Sequence, residues 1–289
     1  AGWMIENYPE LFKGVGLLIN EGGSGYRSNG KVTFGVEVTQ KVPVWLRLTA
    51  VDIPGHGSSP RSTSSVTRIV EALNLIKNNP FTARIIPEVE KVFKSDAKSM
   101  EGEMANKFFN IKESIKEEGF LSDLQEYSAS RHALTRDTCS MTRMGGSSKI
   151  NVIPPEAWAE IDCRILPDRP AEEFIATFKD LVKGTGVEVE VIMAFTSAIS
   201  PTDSPLFLAI EEVTKTLHPN SSVVPSVSTG FTDSHFTRDL GIASYGFNPL
   251  IAEGDEFSGI HGNDEKVNEN AFRQSVKDLI QIISKVVYD

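Results

Sequence analysis

Residues 41–198 switch between two hydropathy periods in an order that few folds accommodate. Residues 31–50 are rich in Val, Thr, Phe and Trp and follow an Asn29-Gly30 pair suited to a tight turn, which marks strands joined by a hairpin. After a loop at 54–60, Val66, Ile69, Val70, Leu73 and Ile76 recur at helical spacing, with Ser64 or Ser65 available as a cap. Strand pattern returns at 139–144 and 149–166. There Ala157, Ala159, Ile161, Cys163 and Ile165 alternate with Trp158, Glu160, Asp162 and Arg164, as in a half-buried strand. A helix follows Pro170 on Phe174, Phe178, Leu181 and Val182, stops at Gly184, and leads to a strand at 187–193. A charged stretch at about 80–136, with helical fragments at 88–94 and 108–117, reads as an insertion. Setting it aside leaves β-α-β-β-α-β, the order of a ferredoxin-like unit.

The flanking segments alternate differently. Residues 15–20 form an apolar run closing on Glu21-Gly22-Gly23, a buried strand that ends at a loop with a carboxylate at its tip. Active sites of open α/β sheets sit at such strand ends. Beyond residue 199 come a helix at 204–217, strands near 223–227 and 243–247, and a last helix on Phe272, Val276, Leu279, Ile280 and Ile283. That alternation suits α/β layering. The expected architecture is one α/β domain assembled from residues 1–40 and 199–289, interrupted by an α+β unit at 41–198 that carries the helical insertion.

Charge narrows the partners. A formal net charge of −10 on 289 residues disfavours polyanions, because nucleic-acid and anionic-membrane binding relies on Lys and Arg. Neither nucleic acid nor membrane is expected as a partner; no apolar run approaches the roughly 18 residues of a membrane span. Cys139 and Cys163 allow one bridge at most and neither sits in a CxxC pair. The chain opens on Ala1 rather than Met, so a leader removed beforehand fits the sequence, and cytoplasmic, vacuolar and secreted locations all stay open.

Five histidines can be judged singly. His132 falls in the insertion and His218 at a helix C-terminus, where a cation suits the dipole; both read as structural. His56, in Gly55-His56-Gly57-Ser58-Ser59-Pro60, has little around it to pack against and is placed to project. His235 and His261 have glycines and polar residues nearby, which suits ligand loops, although ordinary loop histidines look the same. Residues 25–32 approach a phosphate loop, but Val32 stands where a hydroxyl would hold magnesium. Neither Ser24 nor Ser147 completes a nucleophile elbow, so a covalent serine mechanism lacks support.

Five blocks occur together in order: Ile19-Asn20-Glu21-Gly22-Gly23; Gly55-His56-Gly57-Ser58-Ser59-Pro60; Asn151-Val152-Ile153-Pro154 with Asp162-Cys163-Arg164-Ile165-Leu166-Pro167; Gly230-Phe231-Thr232-Asp233; and His261-Gly262-Asn263-Asp264-Glu265. Their order and spacing resemble the dinuclear zinc peptidases and amidohydrolases that include carboxypeptidase S, aminoacylase, glutamate carboxypeptidase and succinyl-diaminopimelate desuccinylase. The long insertion resembles the carboxypeptidase S branch. The resemblance implies a partial zinc-peptidase α/β catalytic domain with an inserted ferredoxin-like lid and dimerisation domain. It implies two zinc ions in the complete enzyme, with Glu21 a ligand of one and His261 of the other. His56 matches a lid histidine that reaches the partner's active site in a homodimer and steadies the oxyanion. Asn151, Arg164, Gly230 and Thr232 match substrate-binding positions, Arg164 as a clamp on a terminal carboxylate.

The implied activity is hydrolysis of an amide or peptide bond in an N-acyl amino acid or short peptide with a free C-terminal carboxylate. The family also needs an H-x-D pair, a bridging Asp and a Glu-Glu pair upstream of Glu21. Residues 1–20 offer only Glu6 and Glu10, so this chain is expected to be a fragment that is inactive alone. A non-catalytic dimerisation or binding module derived from the same fold is the alternative.

Overall fold

The computed structural model describes residues 1–28, 30–252, 257–258 and 262–288. In chain order the elements run α1 (Gly2–Asn7), β1 (Leu17–Asn20), β2 (Gly25–Ser28), β3 (Lys31–Gln40), β4 (Val42–Val51), β5 (Gly55–His56) and α2 (Ser65–Asn78). Five short helices follow: α3 (Pro87–Ala97), α4 (Glu103–Phe109), α5 (Ile111–Ser114), α6 (Phe120–Tyr127) and α7 (Ala129–Ala133). Next come β6 (Thr138–Gly145), β7 (Val152–Ile153), β8 (Glu156–Ile165), α8 (Ala171–Leu181) and β9 (Glu188–Ala194). The chain closes with α9 (Pro205–Leu217), β10 (Ser221–Ser228), α10 (Ser234–Asp239), β11 (Ala243–Gly246), β12 (Ile251–Ala252), β13 (Phe257–Ser258), β14 (Lys266–Val267) and α11 (Glu269–Tyr288). Two compact units result, one from residues 1–40, 85–120 and 198–289, the other from 41–84 and 121–197.

The second unit holds a four-stranded antiparallel sheet in the order β6-β8-β4-β9. Numbered along the chain, its strands lie 2-3-1-4, the ferredoxin-like arrangement that the order of elements implied. Alternation decides the faces. Val44, Leu46, Leu48 and Ala50 of β4 and Ala157, Ala159, Ile161, Cys163 and Ile165 of β8 are buried in one cluster with Ile69, Ala72, Leu73 and Ile76 of α2 and Phe174 and Phe178 of α8. Each large side chain in that layer contributes about 1.5–3 kcal/mol by leaving water. The other face carries the polar alternates: Arg47 pairs with Glu160 at 2.9 Å and lies 4.5 Å over the Trp158 ring. Helix α2 starts where Ser64 and Thr67 cap each other reciprocally, so Ser64 is the cap. Ser65 instead donates to the Pro154 carbonyl at 2.8 Å.

The first unit centres on β3, which pairs in parallel with β10 along its length and antiparallel with β2 and, at Glu37, with β11. Strand β1 lies parallel to β11. Val32, Phe34, Val36 and Val38 pack with Leu206, Phe207 and Ile210 of α9 and Ile282 of α11. His218 reaches Asp278 at 2.9 Å, joining the end of α9 to α11. The charged stretch assigned to the inserted unit divides instead: 85–120 packs with the first unit and 121–136 with the second. Helix α3 explains the difference, since it buries Val89, Val92 and Phe93 and lies along β10.

Cys139 and Cys163 stand directly opposite each other on β6 and β8, Cα atoms 4.0 Å apart, and are joined by a disulfide. Cys163 lies in the packed layer beneath α2 and α8. Replacing both cysteines by alanine is expected to lower stability by about 3.5 kcal/mol, the loop-entropy value for a bridge spanning 24 positions, with the β signature of the circular dichroism spectrum retained. Urea unfolding of the double variant beside the parent, both under non-reducing conditions, measures this.

Candidate active site

Glu21 owes its position to the two glycines behind it. Leaving β1 at Asn20, the chain turns with Gly22 at φ 120 and Gly23 at φ 35, a region that side chains with a Cβ rarely adopt. The turn runs against two other backbones. A Cβ on Gly23 would stand 2.2 Å from the Gly35 carbonyl oxygen of β3 and 2.5 Å from that of Gly246 of β11. Hydrogen bonds fix the remainder: the Phe247 amide donates to the Asn20 carbonyl at 3.1 Å and the Asn248 amide to that of Gly23 at 3.1 Å. The Glu21 carboxylate is left exposed at the strand tip, in a cavity of about 760 Å³. Asn20, Phe247 and Leu279 line it, and so does Glu265, the described end of the last motif. His261 itself lies outside the described residues.

Beneath the turn sits a buried ion pair. Glu37 accepts from Arg238 Nη2 at 2.8 Å, and both side chains are almost wholly enclosed. Burial raises the Glu37 carboxyl above its usual range although Arg238 opposes this, and Glu21 pushes it further the same way. Burial likewise lowers the Arg238 guanidinium. Glu37 Oε2 has no hydrogen-bond partner and lies against Gly22 and Gly246, where added Cβ atoms would approach it to 2.9 and 2.7 Å.

The Gly230 loop is tied to the same strand ends. Gln40 Oε1 accepts from the Thr232 amide at 2.9 Å and its Nε2 donates to the Thr232 carbonyl at 3.3 Å, the two-point match of a side-chain amide to a backbone one. Asn20 donates to Ser234 Oγ at 3.2 Å, holding this loop beside Glu21. Gly230 is exposed, its amide donating to Ser228 Oγ at 3.0 Å. His235, considered as a loop ligand, is instead a buried residue of α10, its ring 5.6 Å from Phe231 and 5.4 Å from Phe236. Burial lowers its imidazole below the usual range, against the pull of Asp239.

The remaining candidates belong to the second unit. Strand β5 pairs with β7 so that His56 stands opposite Val152, and the Gly57 amide donates to the Asn151 carbonyl at 2.8 Å. His56 and Asn151 are therefore neighbours, both exposed. The Ser58 amide, which can only donate, points at His56 Nδ1 from 3.3 Å, with Ser58 Oγ at 2.9 Å. In the neutral ring this places the proton on Nε2. Arg164 is already engaged, its Nε and Nη2 donating to Asp162 at 2.7 and 3.1 Å. Asp162 also accepts from Trp45 Nε1 at 2.9 Å.

Among the described residues no three or more His, Cys, Asp or Glu side chains converge as a metal site. Glu21 has the exposure and rigid support of a ligand, but a single carboxylate does not hold an ion, so the described donor set is incomplete for zinc.

Fold and site define a two-unit α/β protein of the metallopeptidase type, with an α+β unit spliced into its chain. Residues 38–190, more than half of the chain, match the M20 peptidase dimerisation domain, and the chain belongs to that family. It is 29% identical over 286 residues to mouse N-fatty-acyl-amino acid synthase/hydrolase PM20D1, covering 93% of this chain and 55% of that protein. Similarity extends to mouse aminoacylase-1, 24% identical over 279 residues, covering 93% of this chain and 56% of the other. The fold is that of the M20 metallo-carboxypeptidase Sso-CP2 of Sulfolobus solfataricus, with a TM-score of 0.66 at 14% identity, covering 98% of this chain and 66% of the other. The chain spans about half the length of the curated relatives it matches.

Gly23→Ala is expected to destabilise the protein by about 1–3 kcal/mol or more, because the new Cβ meets backbone and the residue must hold a positive φ. Gly35→Ala, whose Cβ would meet nothing closer than 3.6 Å, serves as the control. Thermal unfolding of both variants compares them, and equal midpoints would remove the steric account of the Glu-Gly-Gly turn.

Proposed function

We propose that this chain forms part of a metal-dependent hydrolase of amide or peptide bonds in N-acyl amino acids or short peptides bearing a free C-terminal carboxylate. The observation that carries the reading is the cavity shared by Glu21 and Glu265, which brings the first and last motifs of the resemblance together across the whole chain. The names of the relatives, an N-fatty-acyl-amino acid synthase/hydrolase and an aminoacylase, support N-acyl amino acids as the substrate class. Two zinc ions belong to the complete enzyme, Glu21 serving one and His261 the other. When bound, they would supply carbonyl polarisation and a water nucleophile.

The chain's own residues take the remaining roles. Nε2–H of His56 is turned away from the Ser58 bond and is free to donate to the oxygen on which charge develops. Asn151, held beside it by the β5–β7 ladder, offers a side-chain amide to substrate. Thr232 and Gly230 border the cleft at Asn20 through Ser234 and Gln40. Arg164 binds a substrate carboxylate while keeping its bond to Asp162. The second unit makes a homodimer, as the family's dimerisation domain supports, and the partner's site receives His56.

In the full-length enzyme His56→Ala is expected to keep metal content and dimerisation and to lose about a hundred- to a thousandfold in kcat. Mixing it with Glu21→Gln should restore part of the activity through hybrid dimers with one intact metal site served by one intact histidine. Unchanged kcat in His56→Ala makes the histidine a solvated loop residue. Loss without complementation places its action within its own chain. The 289-residue chain by itself is expected to show no turnover of an N-acyl amino acid, because its described residues supply only one of the expected metal ligands. Metal-dependent turnover by the purified chain would mean that the catalytic groups have been misassigned.

A further inference from the structure

A second concave site lies wholly within the 41–84 and 121–197 unit, in a cavity of about 620 Å³ that none of the residues discussed above as catalytic or substrate-binding lines. Its charge is one-sided. Arg136, His132 and Lys77 line it, and the one carboxylate among its described lining residues, Asp137, is fully occupied. Arg84 donates to both Asp137 oxygens at 3.1 and 3.0 Å, Arg169 donates to Oδ2, and the Leu166 amide donates to Oδ1 at 2.8 Å. Nothing is left of that carboxylate to neutralise Arg136.

Arg136 accordingly has no partner of its own. Its side chain makes no hydrogen bond or ion pair among the described residues, and its Nε is buried without an acceptor. Burial holds the guanidinium below its usual pKa, with no carboxylate pulling the other way. Lys41, buried close by, adds to the positive field; its ammonium donates to the Ala133 and Arg136 carbonyls and to Thr138 Oγ1 at 2.7, 2.8 and 2.8 Å. Burial first, then Arg136 and Lys41, lower the His132 imidazole. A half-buried guanidinium lacking an acceptor is costly unless an anion completes it. Ile76, Pro80, Phe81 and Met141 supply apolar lining to the same cavity.

We propose that this cavity binds an organic carboxylate with an apolar body, the head taken by the planar fork of Arg136 and the body laid along Ile76, Phe81 and Met141. A guanidinium matches a carboxylate at two points, and the apolar wall excludes water from the pair and strengthens it. His132 and Lys77 flank the head as further donors.

The test uses octanoate and the 289-residue chain, with binding followed by isothermal titration calorimetry and by shifts of the His132 ring protons. Saturable binding is expected, weakened at least tenfold by Arg136→Gln and also by Met141→Asp, and unchanged by Lys179→Gln on the exposed part of α8. Inorganic phosphate at the same concentration should compete poorly. Should Arg136→Gln fail to fold, Met141→Asp and Lys77→Gln carry the same comparison from the wall and the rim. Absence of saturable binding, an unaltered affinity in these cavity variants, or phosphate competing as well as octanoate would each overturn the proposal.

Discussion

Three backbones meet at residues 21–23, and much of the first unit is arranged to permit that meeting. The turn after β1 passes so close to Gly35 and Gly246 that no Cβ fits at Gly23, and Gly246 could carry none either, since one there would come within 2.6 Å of the Glu21 carbonyl oxygen. Close approach lets β1 and β11 pair in parallel up to the last residue before the turn. It also holds the Glu21 carboxylate at a fixed height above the sheet. The cost is a buried carboxylate beneath, Glu37, one oxygen of which has no donor. Removing a charge pair from water costs several kcal/mol, so the Glu37–Arg238 pair is a poor source of stability. It is better understood as a brace that sets where the turn sits, with Arg238 also donating to the Ser244 carbonyl on β11 at 2.8 Å.

Legibility in the sequence followed the range of the forces involved. The face of β8 could be read from Ala157 to Ile165 because a sheet with helices on one side imposes a period of two, and no other constraint acts there. The ferredoxin-like order was legible for the same reason. Glu37 was not, because β3 is buried on both faces at its C-terminal half and alternation no longer separates inside from outside. His235 misled in a similar way: the glycine and polar residues ahead of it read as loop, while Phe231 and Phe236 around it enclose the ring. The allegiance of 85–120 was beyond local reading altogether. Whether Val89, Val92 and Phe93 cover one sheet or another depends on contacts more than a hundred positions away.

Buried charge in the second unit follows one scheme. Asp137, wholly enclosed, accepts from two arginines and a backbone amide, and Lys41, also enclosed, exhausts its three donors on two carbonyls and a hydroxyl. Burial pushes the Lys41 ammonium down to about 7, against the pull of Asp137. Three guanidinium atoms of the unit depart from that scheme, Arg136 Nε, Arg164 Nη1 and Arg169 Nε, each buried without an acceptor. Of these three residues Arg136 alone makes no side-chain hydrogen bond among the described residues, since Arg164 donates to Asp162 and Arg169 to Asp137.

Arg164 and His56 illustrate two ways of preparing a group for a ligand. Arg164 meets Asp162 two residues earlier on the same face of β8, so the substrate carboxylate proposed for it would share the guanidinium with a competitor already in place. Such a site is neutral and rigid before it is filled, and its discrimination comes from geometry rather than net charge. His56 is the reverse case. A two-residue ladder and two glycines carry it into solvent, yet the Ser58 amide settles its tautomer, because an N–H offered to Nδ1 leaves the proton nowhere but Nε2. A donor oriented in advance does not have to reorganise when charge develops on its acceptor, and this is what fits His56 to the oxyanion role proposed for it despite its exposed, small-residue loop.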